Sequence, residues 1–135
     1  MRSLARFFFL ALVALGCSTN PDTPDRAFRA FVAHLQAGEV DEAWELLSER
    51  SQDELSRMVH ERSVESGGAI PDDPKRVALG DVELARPIDS VEVQSQTEDR
   101  ATLLVKSGEE SMPVQMVREK GKWKVALVDE RGSQG

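Results

Sequence analysis

The side chains best suited to chemistry in this sequence are one cysteine, two histidines and 24 carboxylates. Cys17 is the only thiol, so no disulfide can form within the chain. His60-Glu61 could begin a zinc-protease motif, but Val64 stands where that motif requires a second histidine. His34 and His60 lie on separate predicted helices, and we expect both at helix surfaces rather than in a metal or catalytic pair.

Patterns for other catalytic chemistries are weak. The sequence contains no Gly-x-Ser-x-Gly elbow, which would expose a serine nucleophile. Gly67-Gly68 precedes a loop with two prolines instead of a phosphate-binding helix. We therefore predict no catalytic residue, no metal site and no cofactor. An enzyme that uses His34, His60 or a buried carboxylate stays open as the third alternative.

Acidic side chains crowd the predicted helical half of the chain. Residues 39–65 hold nine acidic and three basic side chains, a net charge of −6. Neither this run nor Asp72-Asp73 has the spacing and central glycine of an EF-hand calcium loop. We interpret the run as a solvated helical face, or alternatively as a docking surface for a basic partner. Its docking candidates are Glu39, Glu42, Glu45 and Glu49.

Length and composition bound the class of protein. The chain of 135 residues has room for one small domain, and 40% hydrophobic with 30% charged residues fit a soluble globular protein. Its net charge is −7, and loss of residues 1–16 would remove two arginines and leave −9. Such a charge repels nucleic acid and gives no attraction to anionic lipid, so any membrane attachment must have another source.

The first 16 residues have the organisation of a secretory signal peptide. Met1–Arg6 carries two arginines and no acidic residue, and Phe7–Leu15 is an unbroken apolar run of nine residues before Gly16. A membrane-spanning helix would need roughly 20 apolar residues, but polar residues return at Ser18. The run is therefore too short to be a spanning anchor.

The residues Ala14-Leu15-Gly16-Cys17 resemble the lipobox of bacterial lipoproteins, in which a small residue precedes a lipidated cysteine. Gly16 fits the pattern, whereas Ala14 and Leu15 depart from the usual choices. The resemblance implies cleavage between Gly16 and Cys17, diacylglycerol on the cysteine sulfur and an acyl chain such as palmitate on the new amine. One acyl chain binds a membrane only marginally, but two or more anchor a protein stably. The alternative is ordinary signal cleavage nearby, which would leave a free thiol.

The implied anchor places the protein at a membrane of the cell envelope. By the sorting of such lipoproteins, Ser18 favours the periplasmic face of the outer membrane, with the inner membrane or the cell surface as alternatives. Residues 17–23 form the lipidated cysteine and a short tether, of which the six residues from Ser18 to Thr23 span at most ~20 Å. We expect a domain at residues 24–128, close to the bilayer, and a polar, frayed tail at 129–135.

Hydrophobic periodicity predicts three helices at the start of the domain. The first begins with Thr23 as its cap and ends at Gly38. The second is capped by Asp41, and the third opens with a capping box at Ser51–Glu54 and fades near Arg62. The inward positions of the helices are apolar: Phe28, Phe31, Val32, Leu35, Val40, Ala43, Trp44, Leu47, Leu55, Met58 and Val59.

After a predicted loop at residues 63–75, the hydrophobic period changes to two. A short strand at residues 82–84 precedes four strands joined by turns, within 90–94, 101–105, 112–118 and 123–127. Consecutive hairpins pair neighbouring strands antiparallel, so we predict an α+β domain with N-terminal helices on one face of an antiparallel sheet of about four strands. Pro113 cannot donate to a ladder and indicates a sheet edge or the start of a strand.

Two regions carry a resemblance to a protein family. Phe28–Phe31, Leu35–Gly38 and Glu42–Leu47 form an amphipathic helix, a small turn and an Ala-Trp-x-Leu-Leu motif, and Arg118–Val125 contains Gly-x-Trp-x-hydrophobic. Across residues 24–128 the chain resembles small bacterial lipoproteins of uncharacterised function that have a nuclear-transport-factor-two-like domain. The resemblance implies a strongly curved antiparallel sheet wrapped around the helices, a cystatin-like α+β cone with an open end.

In related families the cone cavity binds small molecules, serves catalysis or is filled. Steroid-isomerase-like members pair an acid with a tyrosine, but this chain has no tyrosine, so that chemistry cannot be carried over in its usual form. We expect Trp44 and Trp123 to pack in the core. If a cavity exists, its lining candidates are Phe28, Phe31, Trp44, Met112, Met116 and Trp123.

The leading functional prediction is a non-enzymatic, lipid-tethered module of the cell envelope that binds or assembles with an envelope protein. A small-ligand or lipid-binding pocket protein is the second alternative. An enzyme of the same fold, a hydrolase or isomerase, is the third. We expect no nucleic-acid partner.

Overall fold

The computed structural model describes residues 23–80 and 87–128. The predictions for the leader, Cys17, the tether before Thr23, the short strand at 82–84 and the tail at 129–135 lie outside the described residues. No helix within the two described ranges is long and apolar enough to cross a membrane. In these ranges the elements are α1 (Pro24–Gln36), α2 (Val40–Glu45), α3 (Glu49–Glu65), α4 (Pro74–Leu79), β1 (Ser90–Gln96), β2 (Arg100–Ser107), β3 (Glu110–Glu119) and β4 (Lys122–Ala126).

The strands form one antiparallel sheet in the order β1-β2-β3-β4. The predicted succession of hairpins is thereby confirmed, as is the α+β class with helices packed against the sheet. On β2, Ala101, Leu103 and Val105 are buried at every second position, because successive side chains of a strand point to opposite faces. Their core neighbours across the ladder include Met116 and Val114 on β3.

The core lies between this inner sheet face and the amphipathic faces of α1 and α2. Phe28, Phe31 and Val32 of the predicted α1 stripe are buried, and Leu35 packs against them. Full burial of one such side chain stabilises a fold by about 1.5–3 kcal/mol. The other buried members of the core are Ala27, Ala43, Trp44, Leu47, Leu79, Ala101, Leu103, Val105, Val114, Met116, Trp123 and Val125.

α1 begins at the predicted position, with Thr23 at the cap and Pro24 in the first turn. The Thr23 side chain makes no capping hydrogen bond, however, and its buried Oγ1 has no hydrogen-bond partner. Pro24 is among the fully buried residues. Packing, rather than a side-chain cap, therefore fixes the start of this helix.

α2 and α4 differ from the prediction. The N-cap position of α2 is Glu39, whose side chain makes no capping hydrogen bond, while Asp41 lies in the first turn and accepts a hydrogen bond from Lys75 (Nζ···Oδ1 2.9 Å). α4 occupies positions predicted as the end of a loop and the start of the region with a hydrophobic period of two. It begins because Asp73 Oδ1 accepts from the Arg76 N–H (3.2 Å) and a proline follows the cap. Its six residues are too few to display a helical period.

α3 starts earlier than predicted because its cap is buried against β4. Ser48 Oγ accepts a hydrogen bond from the Ser51 N–H (3.2 Å) and donates to Ser51 Oγ (2.8 Å). Ser51 Oγ also accepts from the Leu127 N–H (2.9 Å), just after β4. The predicted capping box at Ser51–Glu54 is therefore wrong. Ser51 lies inside the first turn, and α3 continues past Arg62 to Glu65.

The connection between α2 and α3 pairs with the free edge of β4. The Ser48 N–H donates to the Val125 carbonyl (2.9 Å), and the Val125 N–H donates to the Leu46 carbonyl (2.8 Å). Leu47 forms a parallel bridge with Val125 and is 1% exposed. These bonds satisfy backbone groups that an edge strand would otherwise leave open to pairing with another chain.

Pro113 lies within β3, which pairs with both β2 and β4. Its neighbour on β2 is Leu104, whereas the ladder with β4 begins only at Gln115. At Pro113, β2 is therefore the one described strand beside β3. This placement agrees with the predicted edge position, because a proline has no N–H to donate on the open side.

We expect Ser48→Ala to lower the free energy of unfolding by about 1–2 kcal/mol, because it removes the cap of α3 and the acceptor of the Ser51 N–H. Urea denaturation followed by circular dichroism measures the change. Ser111→Ala, on the exposed part of β3, is the control and should stay within about 0.5 kcal/mol of the wild type. Equal stability of the two variants would contradict the assigned cap.

Candidate functional site

Five of the six candidate pocket residues belong to the packed core. Phe28, Phe31, Trp44, Met116 and Trp123 are each at most 7% exposed, and Met116 has no accessible surface. Side chains that lined a water-sized cavity would retain accessible area facing it. These five side chains therefore fill the space between helices and sheet.

Met112 is the exception, with 58% of its surface exposed. Its place opposite Val105 puts it on the inner face of the sheet, but at an end of β3 that the described helices do not cover. Val93 on β1, opposite the buried Leu103, is 41% exposed on the same face. Met112 is therefore not part of the packed core, because its inward direction does not bring it under a described helix.

The four docking candidates differ in their surroundings. Glu39 lies beside His34 (Oε1···Nδ1 3.3 Å). Glu42 and Glu45 are exposed on α2, and Glu45 and Glu49 line a groove together with lysines. The negative charge nevertheless resides mainly in the helical part. Residues 23–80 contain twelve acidic and seven basic side chains, whereas residues 87–128 contain seven and six.

Part of the charge on the exposed face of α3 is paired within the helix. Arg57 donates hydrogen bonds to Glu54 and to Glu61 (Nη1···Oε1 2.6 Å). The bonds to Glu54 and Glu61 raise the pKa of Arg57, and the bond from Arg57 lowers the pKa of Glu54. A partner that recognises negative charge meets a weaker field here than unpaired carboxylates would give.

A groove of about 460 Å³ lies between the first turns of α3 and the β3–β4 hairpin. Its carboxylates come mainly from α2 and α3, and its lysines come from the hairpin. We refer to it as the charged groove. Its lining residues are Glu45, Leu47, Glu49, Gln52, Asp53, Glu119, Lys120, Lys122 and Lys124.

Two side chains of the charged groove bind backbone groups. Glu119 Oε1 accepts from the Glu49 N–H (3.0 Å) at the N-terminus of α3, where the helix dipole favours a carboxylate. Lys124 Nζ donates to the carbonyl oxygen of Glu45. Among the described residues, none of the groove's lysines forms an ion pair with a carboxylate. The groove thus offers charges of both signs.

No pattern in the sequence identifies the charged groove. In the sequence, the residues Lys120–Lys122 mark only the turn between the last two predicted strands. Alternate lysines at 122 and 124 share one face of β4, because the period of a strand is two, and this pattern was a usable sign of a basic surface. The carboxylates opposite them could not be found in this way, since no local pattern shows that α3 starts beside the hairpin.

The two histidines lie on separate helices, with the side chains of His34 and His60 34% and 64% exposed. His60 Nδ1 contacts Asp72 Oδ2 at 2.8 Å. Within residues 23–80 and 87–128, no three histidine, cysteine, aspartate or glutamate side chains are placed to hold a metal ion. The histidines therefore offer surface pairing with single carboxylates.

The chain matches no protein-family model, and neither a curated protein nor a solved structure matches it significantly. A fold class alone does not specify a function, because one architecture hosts many unrelated activities. The function is therefore inferred from the packing and charges of the domain itself.

Met116 and Met112 provide a matched test of the core boundary. We expect Met116→Ala to lower the free energy of unfolding by about 2–5 kcal/mol, because it leaves a cavity in a packed region. Met112→Ala should change it by less than about 0.5 kcal/mol, since most of that side chain already contacts water. Thermal denaturation measures both values. Equal destabilisation by the two variants would show that the inner face is covered at both positions.

Proposed function

We propose that this protein is a lipid-anchored module of the bacterial cell envelope, whose domain binds another envelope component and catalyses no reaction. The observation that carries the non-catalytic role is the filled core. Leu103, Met116 and Val125, at the centre of the inner sheet face, have no accessible surface. We therefore assign recognition to the outer surfaces, where the charged groove and the exposed acids of α2 lie.

The proposed anchor is lipid on Cys17 after cleavage of residues 1–16. The signal-peptide organisation of the leader and the lipobox-like Ala14–Cys17 support it. α1 begins at the buried Pro24, so the six residues from Ser18 to Thr23 separate the lipid from the domain and reach at most ~20 Å. The domain would then stay beside the periplasmic face of the outer membrane.

We also propose that the domain is a nuclear-transport-factor-two-like cone. Its support is the element order, in which the described helices precede consecutive antiparallel strands. The register shift between Val93 and Ser95 in β1 adds to it, because a bulge bends a strand and increases its twist. Trp44 and Trp123, from the two segments that carry the family resemblance, belong to one core.

The proposed docking surface consists of the exposed carboxylates Glu42, Glu45 and Glu49, and the partner presents basic side chains. The excess of acid in residues 23–80 supports this choice. Complementary charge of this kind speeds association and orients the partner, and salt screens it.

A small apolar ligand is a second candidate, because Met112 and Val93 leave apolar surface open on the inner face of the sheet. Such a ligand would stabilise the folded state according to its concentration and Kd. A ligand-dependent rise in unfolding temperature that Met112→Asp abolishes would favour this candidate over docking.

We expect Cys17→Ala to abolish lipidation. The unlipidated chain should move to the aqueous phase in detergent partition, or accumulate as a precursor with its leader attached. Thr19→Ala leaves the lipobox-like segment intact and should remain in the detergent-rich phase with a lipid-sized mass increase. Mass spectrometry of the native protein gives the second readout. An attached leader, or an unmodified thiol at residue 17, would refute the anchor.

We expect the double variant Glu42→Lys and Glu45→Lys to weaken binding of the docked envelope protein by roughly tenfold or more, because two attractive charges become repulsive. The partner is trapped by cross-linking in intact cells, purified, and titrated against each variant at low and high salt. Glu109→Lys, an exposed change at the β2–β3 turn, is the matched control. Equal affinities of the double variant and the control would exclude α2 as the docking surface.

A further inference from the structure

Acidic and basic side chains lie in the charged groove without forming ion pairs with each other, whereas other acidic and basic side chains of the protein do form ion pairs. Lys75 contacts Asp41 at 2.9 Å, and Arg57 binds two carboxylates on α3. In the described part of the chain, the groove's three lysines form no such pair with its carboxylates. Charge of both signs is therefore available to a ligand in one place.

Hydrogen bonds to the backbone hold the two sides of the charged groove in position. Ser48 and Val125 join the start of α3 to β4 (2.9 Å). Glu119 ties the hairpin to the first N–H of α3, and Lys124 ties β4 to the end of α2. The acidic and basic sides are thus placed before a ligand arrives, and such preorganisation lowers the entropy cost of binding.

Lys120 occupies a turn position that suits other residues better. Lys120 and Gly121 have φ angles of 52° and 77°, so both central residues of the hairpin turn are left-handed, as in a type I′ turn. Asn, Asp or Gly adopts the first of these positions more readily than Lys does. The geometry of the turn does not explain why a lysine stands at position 120. The ammonium group that this lysine adds to the groove is a reason for it.

We propose that the charged groove binds a short zwitterionic peptide, with a carboxylate at Lys120 and Lys122 and an ammonium group at Glu49 and Asp53. The groove's carboxylates would repel a simple anion, and its lysines would repel a simple cation. A ligand that carries both charges is attracted to both sides of the groove. The volume of about 460 Å³ suits a ligand of a few residues. This inference rests on the proposed role as a non-catalytic binding module, but not on the lipid anchor.

The test uses the full-length protein in non-ionic detergent and the synthetic tetrapeptide Ala-Glu-Lys-Ala with free ends. Isothermal titration at low salt should show saturable one-to-one binding. The control peptide has an acetylated amine, an amidated carboxylate and Gln in place of both charged side chains. It should bind roughly tenfold more weakly or worse, because it offers no charge to either side of the groove.

Two groove variants and one control locate the binding. Lys120→Ala with Lys122→Ala removes the basic side, and Glu49→Gln with Asp53→Asn neutralises the acidic side. Each pair should weaken tetrapeptide binding about tenfold. Lys106→Ala, on the exposed end of β2, should leave the affinity unchanged. Circular dichroism establishes that each variant is folded, so that a loss of affinity reports on charge.

Absence of saturable tetrapeptide binding, or equal affinities of the groove variants and the control, would overturn the inference. Binding of glycerophosphoethanolamine, a zwitterionic lipid headgroup, more tightly than the tetrapeptide would also overturn it. The phase partition of Cys17→Ala and the effect of charge reversal on α2 are measured separately. Failure of the groove inference is therefore distinguishable from failure of the proposed function.

Discussion

The backbone pairing between residues 46–48 and β4 determines how the helical and sheet parts of this protein meet. It holds Leu47 in the core and Ser48 at the one place where its hydroxyl can cap α3. It also brings the first N–H of α3 within reach of Glu119. Each bond contributes only about 0.5–1.5 kcal/mol net. The structural effect of these bonds together exceeds that of any single bond, because the core, the start of α3 and the charged groove all involve the same few residues.

The protein separates its apolar and charged surfaces sharply. The inner sheet face and α1 bury apolar side chains that pack into one cluster. Charged side chains remain outside, where α3 pairs some of its own charges and α2 leaves Glu42 and Glu45 exposed. The proposed binding role at the surface is consistent with this division.

Long periodic patterns predicted most of the architecture. The α1 stripe and the antiparallel hairpins follow from sequence because apolar residues recur at one period over many positions. The start of α3 could not be predicted, since Ser48 and Ser51 both suit a cap and only their contacts with Val125 and Leu127 distinguish them. The inward direction of Met112 was predictable, but its exposure depends on how far the helices extend over the sheet.

The charged groove was beyond sequence reasoning for a different reason. Glu49 and Glu119, which meet at its edge, are 70 positions apart in the chain. Their contact requires the hairpin, the helix start and the pairing of β4 to form together. Local composition can show that lysines alternate along a strand, but not which carboxylates lie opposite them.

The negative charge of the domain is distributed unevenly along the chain. Residues 23–80 carry a net charge of −5 and residues 87–128 a net charge of −1, with three lysines at the β3–β4 hairpin. Beside anionic headgroups, the helical part of the domain is repelled more strongly than the sheet part, over a screening distance of about 8 Å at physiological ionic strength. With the proposed tether, electrostatics would then govern the tilt of the domain, while the lipid governs only its distance.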